Sequence, residues 1–222
     1  LYLTVHPSQE MAEFPNEHFY NRRLRAWPSV AGRRLELEME PPWPKLQEVL
    51  DPDHSSVFVE TGHQGCDMVS IGEARVAAWL AVAIASGCRY PADQIAVISP
   101  YRAQSRLIRT GAVELAESHG GRLSPEILFG TAEDMRLCGR DLVIISLATS
   151  DLKRAFARRD DTFSLPRLNL ALTRAAVKRI VIGSPYLLSA RPPDLALANW
   201  LSLIRQLAEE SKRVPLKVRA NT

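Results

Sequence analysis

Arg174 is the residue whose setting most suggests chemistry. It closes the apolar segment Leu168-Asn169-Leu170-Ala171-Leu172-Thr173-Arg174-Ala175, and the strand-like run Arg179-Ile180-Val181-Ile182-Gly183-Ser184 follows soon after. A guanidinium is planar, keeps its charge at any working pH and offers a fork of donors that matches phosphate oxygens. An arginine fixed at the edge of a buried strand can therefore reach across a domain boundary toward a phosphate. The plainer alternative is an arginine on a solvated helix face.

The elements that must hold it are legible from periodicity. Continuous apolar runs at Ile95-Ala96-Val97-Ile98 and Leu142-Val143-Ile144-Ile145, with Ile180 to Ile182, predict strands covered on both faces and neighbouring one another in a mainly parallel sheet. Strands are also expected at Val57-Phe58-Val59 and near Glu126 to Gly130. Helices are expected from Glu73 to Ser86, Arg102 to His119 and Leu195 to Glu210, the first with Val76, Ala77, Leu80, Ala81 and Ile84 on one face. This alternation predicts a three-layer α/β domain. Residues 1–55 read as a separate Pro-rich segment, in which Pro41-Pro42-Trp43-Pro44 opposes regular structure and the alternating Leu35 to Glu40 suggests an edge strand. The domain proper is expected over 56–210 and a basic tail over 211–222.

The chain has 222 residues, is 46% hydrophobic and carries a net charge of +3, enough apolar content for a packed core and too little charge to demand a polyanion. No apolar run is long enough to span a bilayer, and the start has no signal-peptide pattern, so a cytoplasmic protein without a membrane partner is expected. Cys66, Cys88 and Cys138 lack metal-ligand spacing and are expected to be buried small apolar residues, with no metal bound. Arginine clusters at 22, 23 and 25, at 33 and 34, at 102, 106 and 109, and with Lys153 at 154, 158 and 159 are either solvated faces or weak attractors of nucleic acid.

Four ordered segments carry a resemblance. Tyr2-Leu3-Thr4-Val5-His6-Pro7 with Phe14-Pro15 and Phe19-Tyr20, then Ile98-Ser99-Pro100-Tyr101-Arg102-Ala103-Gln104, then Thr131 to Asp141, then Leu172-Thr173-Arg174-Ala175 follow one another at spacings similar to the second motor domain of superfamily 1 helicases. The closest branch holds the RNA-surveillance helicases and nuclease-helicases. The resemblance spans roughly residues 1 to 190 and implies a RecA-like fold, ATP and Mg as cofactors, and single-stranded DNA or RNA as partner. It also implies a first motor domain of the same protein that completes the ATP site. Arg174 would then touch the γ-phosphate as the catalytic arginine, with Glu133 as a further nucleotide-binding candidate. Ser99, Tyr101, Arg102, Gln104 and Thr131 would face the nucleic-acid strand.

The phosphate loop, Gly-x-x-x-x-Gly-Lys-Ser/Thr, occurs nowhere, so this chain is not expected to hydrolyse ATP alone. Other residues depart from the family. Thr4 stands where a second phosphate arginine is expected, Arg136 replaces glutamine, Leu137 replaces a glycine that lets backbone approach the ligand, and Gly139 replaces a ribose-binding glutamate. Two hypotheses remain: a motor half that works with its first domain, or a degenerate module that binds nucleic acid or protein without turnover. The loop Gly62 to Asp67 could imitate a phosphate loop but lacks its lysine and reads as a surface turn. His6 reads as structural, and no nucleophile-base-acid trio is apparent in the sequence.

Overall fold

The computed structural model describes residues 2–135, 138–151, 153–154, 163–192 and 194–216. Strand β1 (Tyr2–Thr4), helix α1 (Gln9–Phe19) and strand β2 (Leu24–Ala26) come first, and β1 pairs with β2 in a small parallel sheet of its own. Helices α2 (Pro28–Ala31) and α3 (Pro44–Leu50) each open on a proline, which loses nothing there because a first-turn amide has no helical partner. Then come β3 (Ser56–Glu60), α4 (Ile71–Val82), β4 (Ile95–Ile98), α5 (Arg102–Ser118), β5 (Leu128–Gly130) and β6 (Arg140–Ser146). The chain continues through α6 (Leu165–Leu172), β7 (Ala175–Gly183), α7 (Pro185–Ser189), α8 (Leu195–Glu210) and β8 (Lys212–Pro215).

The larger sheet runs β5-β4-β6-β7-β3-β8 with every ladder parallel. β4, β6 and β7 are central neighbours, as their unbroken apolar runs require. Successive residues serve opposite cores. Ile95, Val97, Leu142, Ile144, Ile180 and Ile182 pack with α3, α4 and α5, whereas Ala96, Ile98, Val143, Ile145 and Val181 pack with α1, α6 and α8. This is the three-layer arrangement that a RecA-like motor domain implies.

The amino-terminal part is more regular than its prolines suggest. Ser8 caps α1 by accepting from the Met11 amide at 3.3 Å, and Met11 and Phe14 are buried against the sheet, which holds the helix together despite Pro15 inside it. Leu35 to Glu40 form no strand: Leu35 is buried, but the sheet edge beside β3 is taken by β8. Lys212–Pro215, expected in the tail, are that edge strand. Residues 217–222, together with Arg136, Leu137, Arg158 and Arg159, lie outside the described residues.

β7 carries two buried cations in an otherwise apolar strand. Arg179 donates to Ser56 Oγ at 3.2 Å and to the Leu172 carbonyl at 3.3 Å, and burial lowers it to about 10. Lys178 donates to the carbonyls of Asp51 and His54, and burial lowers its ammonium from 10.5 to about 7. Between those two values the unfolded chain binds more protons than the folded one, so this group makes stability rise as pH goes from about 7 to about 10. The slope is up to about 1 kcal/mol per pH unit. Urea unfolding of the wild type and Lys178→Met at pH 7, 8 and 9 should show the rise in the first and a flatter profile in the second. Parallel profiles would contradict it.

Candidate functional site

Arg174 sits at the turn between α6 and β7, where Thr173 ends the helix. Its guanidinium is half-buried and folds back onto the protein, donating to the Met135 carbonyl at 3.3 Å and to Thr173 Oγ1 at 3.2 Å. Burial lowers its pKa from the ordinary arginine value. Its carbonyl accepts from the Arg140 amide and from His6 Nε2, each at 3.0 Å. Three segments far apart in sequence therefore converge at the starting edge of β6 and β7: the amino-terminal segment through His6, the loop before β6 through Met135 and Arg140, and Arg174 itself.

Gly139 lies in the same cluster, and what covers it is specific. A Cβ on Gly139 would lie 1.7 Å from His6 Nε2, so the imidazole occupies the direction in which any side chain would leave this position. His6 is half-buried and its pKa is lowered, with burial the largest cause. Gly139, where the resemblance leads one to expect a glutamate, therefore has no side chain, and the His6 ring covers the direction one would take. Thr4, half-buried in β1, uses its carbonyl to accept from the Trp27 amide at 2.8 Å.

The strand-track candidates gather at the opposite end of the sheet, where β4 and β5 finish. Asp134 organises them: it accepts from the Thr131 amide at 2.8 Å and the Thr131 hydroxyl at 3.1 Å, and takes both terminal nitrogens of Arg102 at 3.0 and 3.2 Å. The Thr131 amide, ahead of Arg102, holds the Asp134 carboxyl below its ordinary range. Ser99 is buried and its hydroxyl accepts from the Tyr101 amide at 3.3 Å. Tyr101 is only 6% exposed, which leaves little ring on which a base could stack. Of the five, Arg102 is the accessible one.

Gln104 and Glu133 have other surroundings. The Gln104 side chain is fully buried, accepting from the Ser70 amide at 2.9 Å and donating to the Ser70 carbonyl and to Ser146 Oγ. It joins α5 to α4 inside the protein and offers nothing to a ligand. Glu133 meets Arg167 at 2.9 Å, and both line a cavity of about 50 Å³ with Ser99, Leu168 and Trp200.

A polar cluster at the ends of β3, β6 and β7 is not evident from sequence. Glu73 is completely buried; one carboxylate oxygen takes His63 Nε2 at 2.6 Å, and the other accepts from Ser146 Oγ at 2.7 Å and the Ala148 amide at 2.8 Å. His63 Nδ1 lies 3.0 Å from Ser150 Oγ, which accepts from the Cys66 amide at 3.0 Å. The order serine, imidazole, carboxylate is that of a nucleophile trio. The Ser150 and Asp151 amides, however, are both committed to the Cys66 carbonyl at 2.7 Å and cannot serve an oxyanion. The cluster is a latch that fastens the Gly62 to Asp67 turn to the end of β6. In that turn Cys66 is half-buried, as is Cys138, so of the three cysteines only Cys88 is buried as expected. Among the described residues no group of side chains could hold a metal ion, and no helix is long and apolar enough to cross a membrane.

The AAA-domain family matches residues 6–186, which includes Arg174, Glu133 and the five strand-track candidates. The chain belongs to that family. This AAA-family domain is 27% identical over 213 residues, 93% of its length, to the Regulator of nonsense transcripts 1 homolog of Drosophila melanogaster. It is 30% identical over 190 residues, 80% of its length, to the DNA replication ATP-dependent helicase/nuclease DNA2 of Mus musculus. It spans 17% of the length of each of these two relatives. Among solved structures it is similar to the C-terminal domain of a possible DNA helicase from Lactobacillus plantarum WCFS1, with 14% identity and a TM-score of 0.45, covering 96% of this chain and 98% of that one. A likeness that loose carries no functional argument. The sequence relatives bear out the resemblance to superfamily 1 helicases.

Proposed function

We propose that this domain is the second half of an ATP-driven motor acting on single-stranded nucleic acid, with Arg174 as the far-side ligand of the γ-phosphate. The observation that supports it is the position of Arg174. A charged fork at the start of a central strand is held in shape by Met135 and Thr173, at the edge where a first motor domain would bring its nucleotide. A phosphate fits this edge, since the guanidinium need only exchange neutral acceptors for an anionic one. ATP and Mg would be held mainly by the first domain, whose phosphate loop this chain lacks. Arg174 would neutralise charge that grows on the transferring group, while Arg102, with the Ser99 and Thr131 region beside it, would position the strand.

The second reading, a degenerate module without turnover, is favoured by His6 over Gly139, because the ring fills the place of a nucleotide acceptor. One comparison separates the two. The isolated chain should bind ATP no more tightly than roughly millimolar, about 4 kcal/mol, and should hydrolyse none. The same chain within its full-length protein should hydrolyse ATP when single-stranded oligonucleotide is added. If the full-length protein, folded and carrying an intact phosphate loop, stays inactive, the degenerate reading replaces the motor one.

A further inference from the structure

We propose that the outward face of α5 is a phosphate-backbone contact that carries single-stranded nucleic acid onward from the strand track, through Arg106 and Arg109 in line with Arg102. The proposal rests on the strand-track reading only in where the strand comes from. Arg102, Arg106 and Arg109 lie at i, i+4 and i+7 and are all exposed, so they form one column about 10 Å long on the helix surface. Its upper end is fixed beside Thr131 by the bidentate pair between Arg102 and Asp134. Among the described residues Arg106 and Arg109 have no ion-pair partner, and no acidic residue stands three or four positions from either.

The column opposes the helix that carries it. Neighbouring like charges at these spacings repel, and the arginines crowd the half of α5 toward its start, while Glu114 and Glu117 stand toward its end. Arg102 in the first turn and Glu117 in the last are the reverse of what the helix macrodipole favours. A sequence shaped by helix stability alone would exchange them. A polyanion laid along the column removes the repulsion and matches the forks of Arg106 and Arg109 with phosphate oxygens. Beside the arginines the exposed residues are Ala103 and Thr110, and Leu107 is half-buried against the core, so the face has no large apolar side chain to insert into a lipid surface.

The test compares three forms of the chain by fluorescence anisotropy with a labelled single-stranded oligonucleotide, from low to moderate salt. In Arg106→Glu/Arg109→Glu, affinity at low salt should fall at least about tenfold for any base sequence. The slope of log affinity against log salt should shrink by about 1.4, the value for two phosphate contacts at about 0.7 each on a single strand. Its melting temperature should rise above that of the wild type, because repulsion is relieved, whereas a structural role for these arginines would lower it. Unchanged affinity and slope would overturn the proposal, as would equal competition by poly-glutamate, which would assign the column to acidic proteins. Tyr101→Ala/Arg102→Ala distinguishes the two readings. If only that variant loses binding, the column fails and the strand track stands; if only the Arg106/Arg109 variant loses it, the column stands and the track fails. No binding by the wild type overturns both.

Discussion

Replacing Arg174 with alanine is expected to lower ATP turnover of the full-length protein by roughly 10³- to 10⁵-fold, the range for removing an arginine that stabilises charge in phosphoryl transfer. The loss should appear in kcat more than in KM, because in the proposed arrangement the guanidinium would meet the developing charge and a first domain would supply most of the ground-state binding. Arg174→Lys should recover little, since an ammonium keeps the charge but not the fork that spans Met135 and Thr173. Nucleic-acid affinity without nucleotide should be unchanged, as the strand-track residues lie at the other end of the sheet. Steady-state turnover and anisotropy on the three proteins decide this. Turnover that survives the alanine would leave Arg174 as a cap on the α6–β7 turn and nothing more.

The largest effect on stability is expected at Glu73. Among the described residues its carboxylate alone joins His63, Ser146 and the Ala148 amide, and the carboxylate is shielded from water. Glu73→Ala would leave a hydroxyl, an imidazole N–H and a backbone amide without their acceptor and would open a void beside α4. Removing one member of such a buried set costs about 3–5 kcal/mol. Glu73→Gln keeps the volume and one acceptor oxygen and should cost about half as much. Denaturant unfolding of both, with His63→Ala and the double variant, would give the coupling directly. Additive losses would mean that the histidine and the glutamate do not act together.

The large sheet was legible because its signal is physical and local. Strands covered on both faces must be apolar at every position, and Ile95 to Ile98, Leu142 to Ile145 and Ile180 to Ile182 are. The same logic located α8 to the residue: of its apolar stripe, Trp200, Leu201, Ile204 and Leu207 are buried and Leu197 is half-buried. What escaped depends on contacts distant in sequence. Lys178 and Arg179 look like the charged end of a strand until the carbonyls of Asp51, His54 and Leu172 are seen around them. Gln104 looks like a surface amide at the start of a helix until Ser70 and Ser146 enclose it. His63 and Ser150 are 87 residues apart, and no local pattern announces their meeting. Leu35 to Glu40 misled for the converse reason: alternation is necessary for a strand, but a free edge is also needed, and β8 already occupies it.

The position of β3 in the sheet has a consequence for how the chain is made. It pairs on one side with β7 and on the other with β8, and both follow it by more than a hundred residues. While the protein is being synthesised, β4, β5 and β6 can assemble as they emerge, but Val57-Phe58-Val59 has no strand to join until β7 appears about 115 residues later. At 5–20 residues per second that interval is on the order of 10 s. For that time an apolar strand with both edges unpaired must be sheltered by α4 or by a chaperone, and the nascent chain is most exposed to mispairing with its neighbours there.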